Sequence, residues 1–448
     1  MDSRHRTWAT SDRWVPQTFI RPMVRFSQIE ASSGIVLLGA AVVALIWANS
    51  PWSESYFSLL EETLTIEFLD FHLEETVHAF VNDGLMAIFF LVVGLEIKRE
   101  LVLGDLNDPR AAALPVVAAL GGMIVPALIY VFFNAGGGEA LRGWGIPMAT
   151  DIAFAVGVVS LLGRRVPSGA KLFLLAVAVA DDVGAIAVIA LFYTAELNGA
   201  WFAAAVAGLL VVWLASRINI RAVWFYIPMA LAIWYFTLES GVHATLAGVA
   251  LGFLTPARPY YRAREFDARA RSILDQYPLE PDSTRAQEHA DYEAMLLATT
   301  ANEAVAPLTR MEHKLTPWSS YLIVPLFALA NAGVDFSGVD IGEALTSPVA
   351  LGITLGLVIG KLFGITAFTF AAVRFRLGRL PAATTWNHVV GLAGVAGIGF
   401  TVSLFVTDLA FVSADITDLA KVGIFAGSLI AGTIGALLLL RTGPRMDT

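Results

Sequence analysis

Residues Leu174–Thr194 read LLAVAVADDVGAIAVIALFYT, a stretch that is apolar except for the adjacent acids Asp181 and Asp182 near its middle. A helix needs about 20 apolar residues to cross a bilayer, and this run supplies them. Each acid at the bilayer centre costs roughly 2.5–3.5 kcal/mol on insertion scales. One buried acid is readily explained as a protonated or paired structural group. A second adds cost without adding fold, so the pair points to binding something cationic within the membrane. Successive helix residues point about 100° apart. The two carboxylates therefore occupy different faces: one can line a wet cavity while the other meets a neighbouring helix. Their charges couple, so they titrate as a pair. Oxygens that hold either a proton or a metal cation, but not both, form a minimal exchange site.

The composition agrees with a membrane protein. The chain is 57% hydrophobic with a mean hydropathy of +0.68, too apolar for a soluble protein of 448 residues. It has no Cys, which excludes disulfides, thiolate metal sites and Cys catalysis. The net charge of −9 sits in the connections and says little about partners. Residues 1–28 are polar and Arg-bearing, with no short apolar core before a small-residue cleavage site, so Ile29–Trp47 is expected to be an uncleaved start. No GxGxxG or Walker pattern and no nucleic-acid motif occurs, so neither ATP-driven pumping nor nucleic-acid binding has support.

Hydropathy predicts an all-α polytopic fold of about twelve spans, near 29–48, 76–97, 111–133, 145–162, 169–194, 200–216, 221–238, 241–254, 318–335, 348–373, 384–406 and 418–440. The predicted organisation is a cytoplasmic segment over 1–28, eight spans over 29–254, a cytoplasmic loop over 255–317, four spans over 318–440 and a tail over 441–448. Basic residues crowd one side: Arg4, Arg6, Arg13, Arg21 and Arg25, then Lys98, Arg99 and Arg110, then Arg164, Arg165 and Lys171, and likewise at each later alternate connection through Arg441 and Arg445. The opposite set holds only Arg142 and Lys421. Positive residues stay inside, which puts both termini in the cytoplasm. Outside, the alternating TLTIEFLDF at Thr63–Phe71 predicts a short strand or hairpin within the 50–75 connection. Inside, Thr255–Thr316 reads as a partly helical linker, not a folded domain.

Several polar residues interrupt the spans. Asp151 lies in PMATDIAF, where Pro147 and the Thr150–Asp151 pair weaken a regular helix. A broken span frees carbonyls that can coordinate a cation; a simple proline kink with a capping Thr is the alternative, and next to the Asp181–Asp182 pair the reading of Thr150 and Asp151 as part of the cation site is favoured. Lys361, in VIGKLFG, is the only Lys or Arg expected deep in a span, and its ammonium needs an acid partner. Gly391, Gly394, Gly397 and Gly399 make GLAGVAGIGFTVS a poor continuous helix. Close packing through small residues explains them. So does a second broken helix crossing the first, with spans 3–5 and 10–12 as inverted repeats. Glu96 and Glu100 share a helix face at the end of the second span, and Asp83 lies deeper in it. His243 opens the eighth span. Hard oxygen ligands without thiolates suit Na⁺, Li⁺ or H⁺ rather than soft metals.

Taken together these residues resemble the NhaA-type sodium/proton antiporters. The matching pieces are NDGLMAIFFLVVGLEIKRE (Asn82–Glu100), ATDIAFA (Ala149–Ala155), ADDVGAI (Ala180–Ile186), GVHATLAG (Gly241–Gly248), LFALANAG (Leu326–Gly333), IGKLFG (Ile359–Gly364) and AGIGFTVS (Ala396–Ser403). The resemblance implies inverted repeats with two crossing broken helices. It implies that Asp181 and Asp182 are the Na⁺ and proton site, that Thr150 and Asp151 mark the first break, and that Lys361 partners Asp151 or Asp181. Glu96, Glu100, Glu312 and His313 resemble a cytoplasmic pH-response cluster, with His243 also implicated. The family is implied to be electrogenic, to work in the bacterial inner membrane, and to form a homodimer through an external β-hairpin. It implies no cofactor, only the transported Na⁺ or Li⁺ and H⁺. Two departures stand out: Leu362 follows Lys361 where Pro is expected, and the 255–316 loop is longer than the family leads one to expect.

Other membrane functions use buried acids as well. An intramembrane aspartyl protease needs an Asp on each of two helices near a Gly-x-Gly-Asp signature, which is absent. A retinal protein would use Lys361 as a Schiff base. In a cation channel, Lys361 in the path would repel the ion. Antiport is the reading that uses all of these residues.

Overall fold

The computed structural model describes residues 32–68, 71–194, 197–220, 222–278, 283–335 and 341–442. The N-terminal segment expected over 1–28 and the tail from 443 lie outside them. Helix dominates, for the reason the hydropathy implies: without water, a span satisfies its main-chain polar groups within itself. The helices are apolar around most of their circumference, as on α4 (Pro109–Asn134), where Leu128 is 63% exposed and Phe132 79%. In water such faces would be a liability; against lipid they are solvated.

Among the described residues the chain divides into two units. One collects Met1–Met86, Asp105–Glu196 and Ser319–Thr448; the other collects Ala87–Gly104 and Leu197–Trp318. By length and composition six described helices suffice to span a membrane, and up to nine spans result if each of three bent pairs counts as one.

The first unit opens with α1 (Ser32–Ala48) and the short α2 (Ser53–Glu61). A two-stranded antiparallel hairpin follows, β1 (Thr63–Phe68) and β2 (Phe71–Thr76), in the register Thr63↔Thr76 to Phe68↔Phe71. The predicted strand is thus half of a hairpin whose return strand, FHLEET, lacks clean alternation. Helix α3 (Val77–Val102) starts here, with a π-helical turn at Phe80–Leu85.

Two triplets then share one pattern. In the first, α4 is followed by a 3₁₀ segment (Gly138–Met148), a break, α5 (Ile152–Leu161) and α6 (Ser168–Phe192). The second triplet comes after α13 (Val324–Asn331) and α14 (Ile341–Thr346). It consists of α15 (Pro348–Arg374), then α16 (Trp386–Val395), a break, α17 (Phe400–Ala410) and α18 (Ala414–Arg441). The first broken pair bends by 42° and the second by 47°. Both predicted interruptions are therefore real breaks at corresponding places. Helices α4 and α15 touch backbone to backbone at Gly121 and Gly364, where a side chain would collide.

The second unit holds the later part of α3 with α7 (Gly199–Arg217), α8 (Val223–Glu239) and α9 (Thr245–Leu254). Gly94 is where α3 meets α9: a Cβ there would lie 2.8 Å from the Val249 carbonyl oxygen. The expected linker over 255–316 is mostly helix, as α10 (Ala263–Gln276), α11 (Thr284–Glu303) and α12 (Pro307–Trp318). Ile273 on α10 and Ala290 on α11 are buried, so α10 and α11 pack as an amphipathic pair.

Candidate functional site

The site is built where the two broken helices cross. Each break leaves helix ends with unpaired main-chain groups. Part of that need is met across the crossing. The Asp151 main-chain N–H donates to the Ile398 carbonyl at 2.7 Å, and the Thr150 hydroxyl donates to the Ala396 carbonyl at 2.9 Å.

Asp151 is 2% exposed, and both of its carboxylate oxygens are used. Oδ1 caps α5 by accepting from Phe154 N at 3.1 Å. Oδ2 accepts from Thr401 N at 3.1 Å and from the Thr401 hydroxyl at 2.5 Å, in the first turn of α17. One carboxylate thus serves the N-termini of two half-helices, where dipoles favour negative charge. The cap at this break is Asp151, not the Thr that a simple proline kink would use.

The 3₁₀ segment that leads to Thr150 is held along its length. Tyr130 donates to the Ala140 carbonyl at 2.6 Å, Tyr193 to the Arg142 carbonyl at 2.6 Å, and Ser403 to the Ile146 carbonyl at 2.8 Å. Pro147 removes a donor and fixes its own φ. The break is therefore placed by its surroundings as well as by its own sequence.

Asp181 and Lys361 face each other beside the crossing. Lys361 Nζ lies 2.6 Å from Asp181 Oδ2 and donates to the Thr150 hydroxyl at 2.9 Å. Lys361 is 1% exposed and Asp181 2%. The acid partner of Lys361 is thus Asp181; the carboxylate of Asp151 is bonded to α5 and α17 instead. A π-helical turn at Gly356–Gly360 ends immediately before Lys361. Such a turn admits an extra residue and so rotates everything after it on the helix. Gly122 leaves room for Ile365, four residues on from the lysine, since a Cβ there would lie 2.9 Å from Ile365 Cγ1.

Asp181 Oδ1 is buried and has no hydrogen-bond partner. Asp182 is half-buried. The adjacent acids therefore differ in surroundings, as their angular offset on α6 requires: one is enclosed with an ammonium and the other is partly open.

The family model described as Na+/H+ antiporter 1 matches residues 24–439. The chain belongs to that family. The Na(+)/H(+) antiporter NhaA of Koribacter versatilis is 43% identical to it over 428 residues, 95% of this chain and 92% of that protein. Na(+)/H(+) antiporter NhaA 2 of Syntrophotalea carbinolica is 44% identical over 427 residues, covering 95% and 97%. NhaA of Rhodopirellula baltica is 42% identical over 434 residues, covering 97% and 96%. The protein is a sodium/proton antiporter, a multi-pass membrane transporter and not an enzyme.

In this antiporter a second group of predicted residues gathers in the other unit. Arg99 at the end of α3 pairs with Glu312 on α12 and, at 3.3 Å, with Glu100. Glu96 faces Glu312, Arg99 and Glu100 electrostatically. The structure thus brings Glu96, Glu100 and Glu312 together. His313 is exposed beside Glu312. His243 lies just ahead of α9, whose other end is held by Lys98 through the Phe253 carbonyl at 2.7 Å and the Thr255 carbonyl at 2.5 Å. A helix of 10 residues spans about 15 Å, so His243 stands apart from the acid cluster. Asp83 falls within the π-helical turn of α3 and faces Glu75.

Sequence reasoning missed three residues here. Thr401 lies two residues past the last glycine of the run, and a hydroxyl beside a break was the available signal. Asp408 lies just past the edge expected for the eleventh span, so it read as a loop residue. Lys421 counted with the outer connections, yet it is 9% exposed, two turns into α18. Lys361 is therefore not the only buried cation among the described residues. Among them, no group of three or more His, Cys, Asp and Glu side chains is arranged for a resident metal.

Proposed function

We propose that Asp181 and Asp182 are where Na⁺ (or Li⁺) and H⁺ compete, with Lys361 as the third partner. The observation that carries this is the Asp181 carboxylate, held by Lys361 through one oxygen and buried without a hydrogen-bond partner at the other. An oxygen of that kind is costly unless something cationic or a proton joins it. Sodium accepted there and by the partly open Asp182 takes over the neutralising role of the ammonium. The cation displaces protons from the acids, and Lys361 loses the charge that held it. Thr150 offers an adjacent hydroxyl oxygen. Asp151 keeps the crossing in place rather than leaving it for the ion. Two carboxyl groups and one ammonium serve a cargo of single charge, so more than one proton can leave per sodium bound, which supports electrogenic exchange.

The charge bias of the connections supports an inner-membrane protein with both termini in the cytoplasm. On that orientation the Glu96, Glu100, Arg99 and Glu312 cluster faces the cytoplasm and tunes the response to pH through local potential, with His313 and His243 as further titrating groups. The β1–β2 hairpin in the 50–75 connection then lies outside. A two-stranded sheet has two edge strands, and edge strands suit pairing with a second copy, which supports a homodimer.

Calorimetry of sodium binding in buffers of different ionisation enthalpy tests the site. Wild-type protein releases protons as it binds sodium, and lowering pH weakens apparent affinity by about tenfold per unit for each competing proton. Asp182→Asn keeps the shape but cannot ionise, so it abolishes both signals. Unchanged binding and release in that variant would place the site elsewhere.

A further inference from the structure

A second set of charges, half-buried around the buried Lys421, lies in the first unit, away from the crossing. Asp408 is seven residues beyond Thr401 on α17, about 10.5 Å along the helix. Its Oδ2 accepts from Asn82 Nδ2 at 3.1 Å. Asn82 is in turn paired with Asn331 on α13, whose Nδ2 donates to Asn82 Oδ1 at 2.8 Å. Asn331 is fully buried, is fixed to the Phe327 carbonyl at 3.0 Å, and meets His78 Nε2 through Oδ1 at 2.9 Å. The titratable groups facing Asp408 are His78 on α3, Lys421 on α18 and Tyr56 on α2. Lys421 also faces the half-buried Asp418, which Asp335 and Asp415 face in turn.

Packing alone asks for no charge here, and a half-buried carboxylate near a buried ammonium is costly. The position of Asn82 makes it informative. It stands in the π-helical turn Phe80–Leu85, a rare local departure from the α-helical ladder, and its side chain ties that turn to α13 and α17. Asp408 is such a tie. It also ends the helix whose first turn, through Thr401, holds Asp151.

We propose that Asp408 is a proton-sensitive latch on the membrane side of the β-hairpin. Ionised, it holds Asn82 and faces Lys421, fixing the start of α3 and the far end of α17 to α13 and α18. Protonated, it leaves Lys421 facing the half-buried Asp418 and slackens α17, through which the crossing at Asp151 is held. The sidedness rests on the orientation proposed above. The latch does not.

Reconstituted antiporter in vesicles tests this, with sodium-driven proton flux measured while pH is stepped on one side and clamped on the other. The orientation is scored independently by protease access to the termini. With sodium saturating at every pH, so that competition at Asp181 and Asp182 does not register, wild type responds on the hairpin side by up to about tenfold per pH unit, as for one proton, and Asp408→Asn flattens this to within about twofold while sodium half-saturation at any one pH stays that of wild type. Asn82→Ala, which removes the tie but leaves both charges, flattens it as well. A wild-type response on both sides in Asp408→Asn, or in Asn82→Ala if the first variant fails to fold, overturns the latch. Flattening on the side of the termini instead upholds the latch and overturns the orientation.

Discussion

Replacing Lys361 with Ala is the most direct perturbation of the site. It removes an ammonium 2.6 Å from Asp181 Oδ2 and 2.9 Å from the Thr150 hydroxyl. Asp181, with Oδ1 already lacking a hydrogen bond, then has neither oxygen compensated. Breaking a buried pair by deleting one partner costs ~3–5 kcal/mol. At about 2.1 cal/mol/K of unfolding entropy per residue, a chain of 448 residues loses about 3–5 °C of melting temperature. The loss has a pH signature. Below the ordinary carboxylate range the lone Asp181 is neutral in folded and unfolded protein alike, and little is lost. As pH rises, the buried acid must stay charged and unpaired or hold a proton that the unfolded chain releases, so destabilisation grows by up to about 1.4 kcal/mol per unit. Adding Asp181→Asn removes the stranded charge and restores most of the melting temperature, since replacing both partners is far less costly than replacing one. Tryptophan-fluorescence melts in detergent at pH 5 and pH 8 read all three proteins. An equal loss at both pH values, or a double variant no more stable than Lys361→Ala, would refute the pairing.

Three further outcomes follow from the geometry. Thr401→Val removes the hydroxyl that Asp151 Oδ2 accepts at 2.5 Å but keeps its shape, so it costs about 1.5–3 kcal/mol; an unaltered melt means that the crossing does not depend on that bond. Arg99→Ala leaves Glu312 and Glu100 without their cation; the pH profile of transport shifts while sodium-coupled proton release persists, and loss of sodium binding would contradict a tuning role. Gly94→Leu drives a side chain into the Val249 carbonyl and destabilises by about 1–3 kcal/mol or more, whereas Gly39→Leu, where a Cβ would meet nothing within 4 Å, is silent in the same thermal assay.

The sequence by itself determined the class of this protein, most of its helices and the places where a span could break. Those are local properties: a lipid environment demands uninterrupted apolar helix, so Asp181, Asp182, Lys361, the Thr150–Asp151 pair and the glycine run announce themselves as exceptions. The alternation of TLTIEFLDF likewise exposed one strand of the hairpin. Partnership was not legible. Lys361 had two candidate acids in spans of similar depth, and which one it meets depends on the crossing of α4 with α15 and on a π-helical turn that rotates the lysine. Asp151 read as an ion ligand because its span was broken. Only the crossing itself showed that both its oxygens are taken by two helix N-termini. Asp408 and Lys421 escaped notice because they lie near span edges, where hydropathy cannot separate a loop from a buried helix end. What tertiary structure decided, in each case, was which charge answers which, since that depends on helix rotation and on the approach of segments hundreds of residues apart.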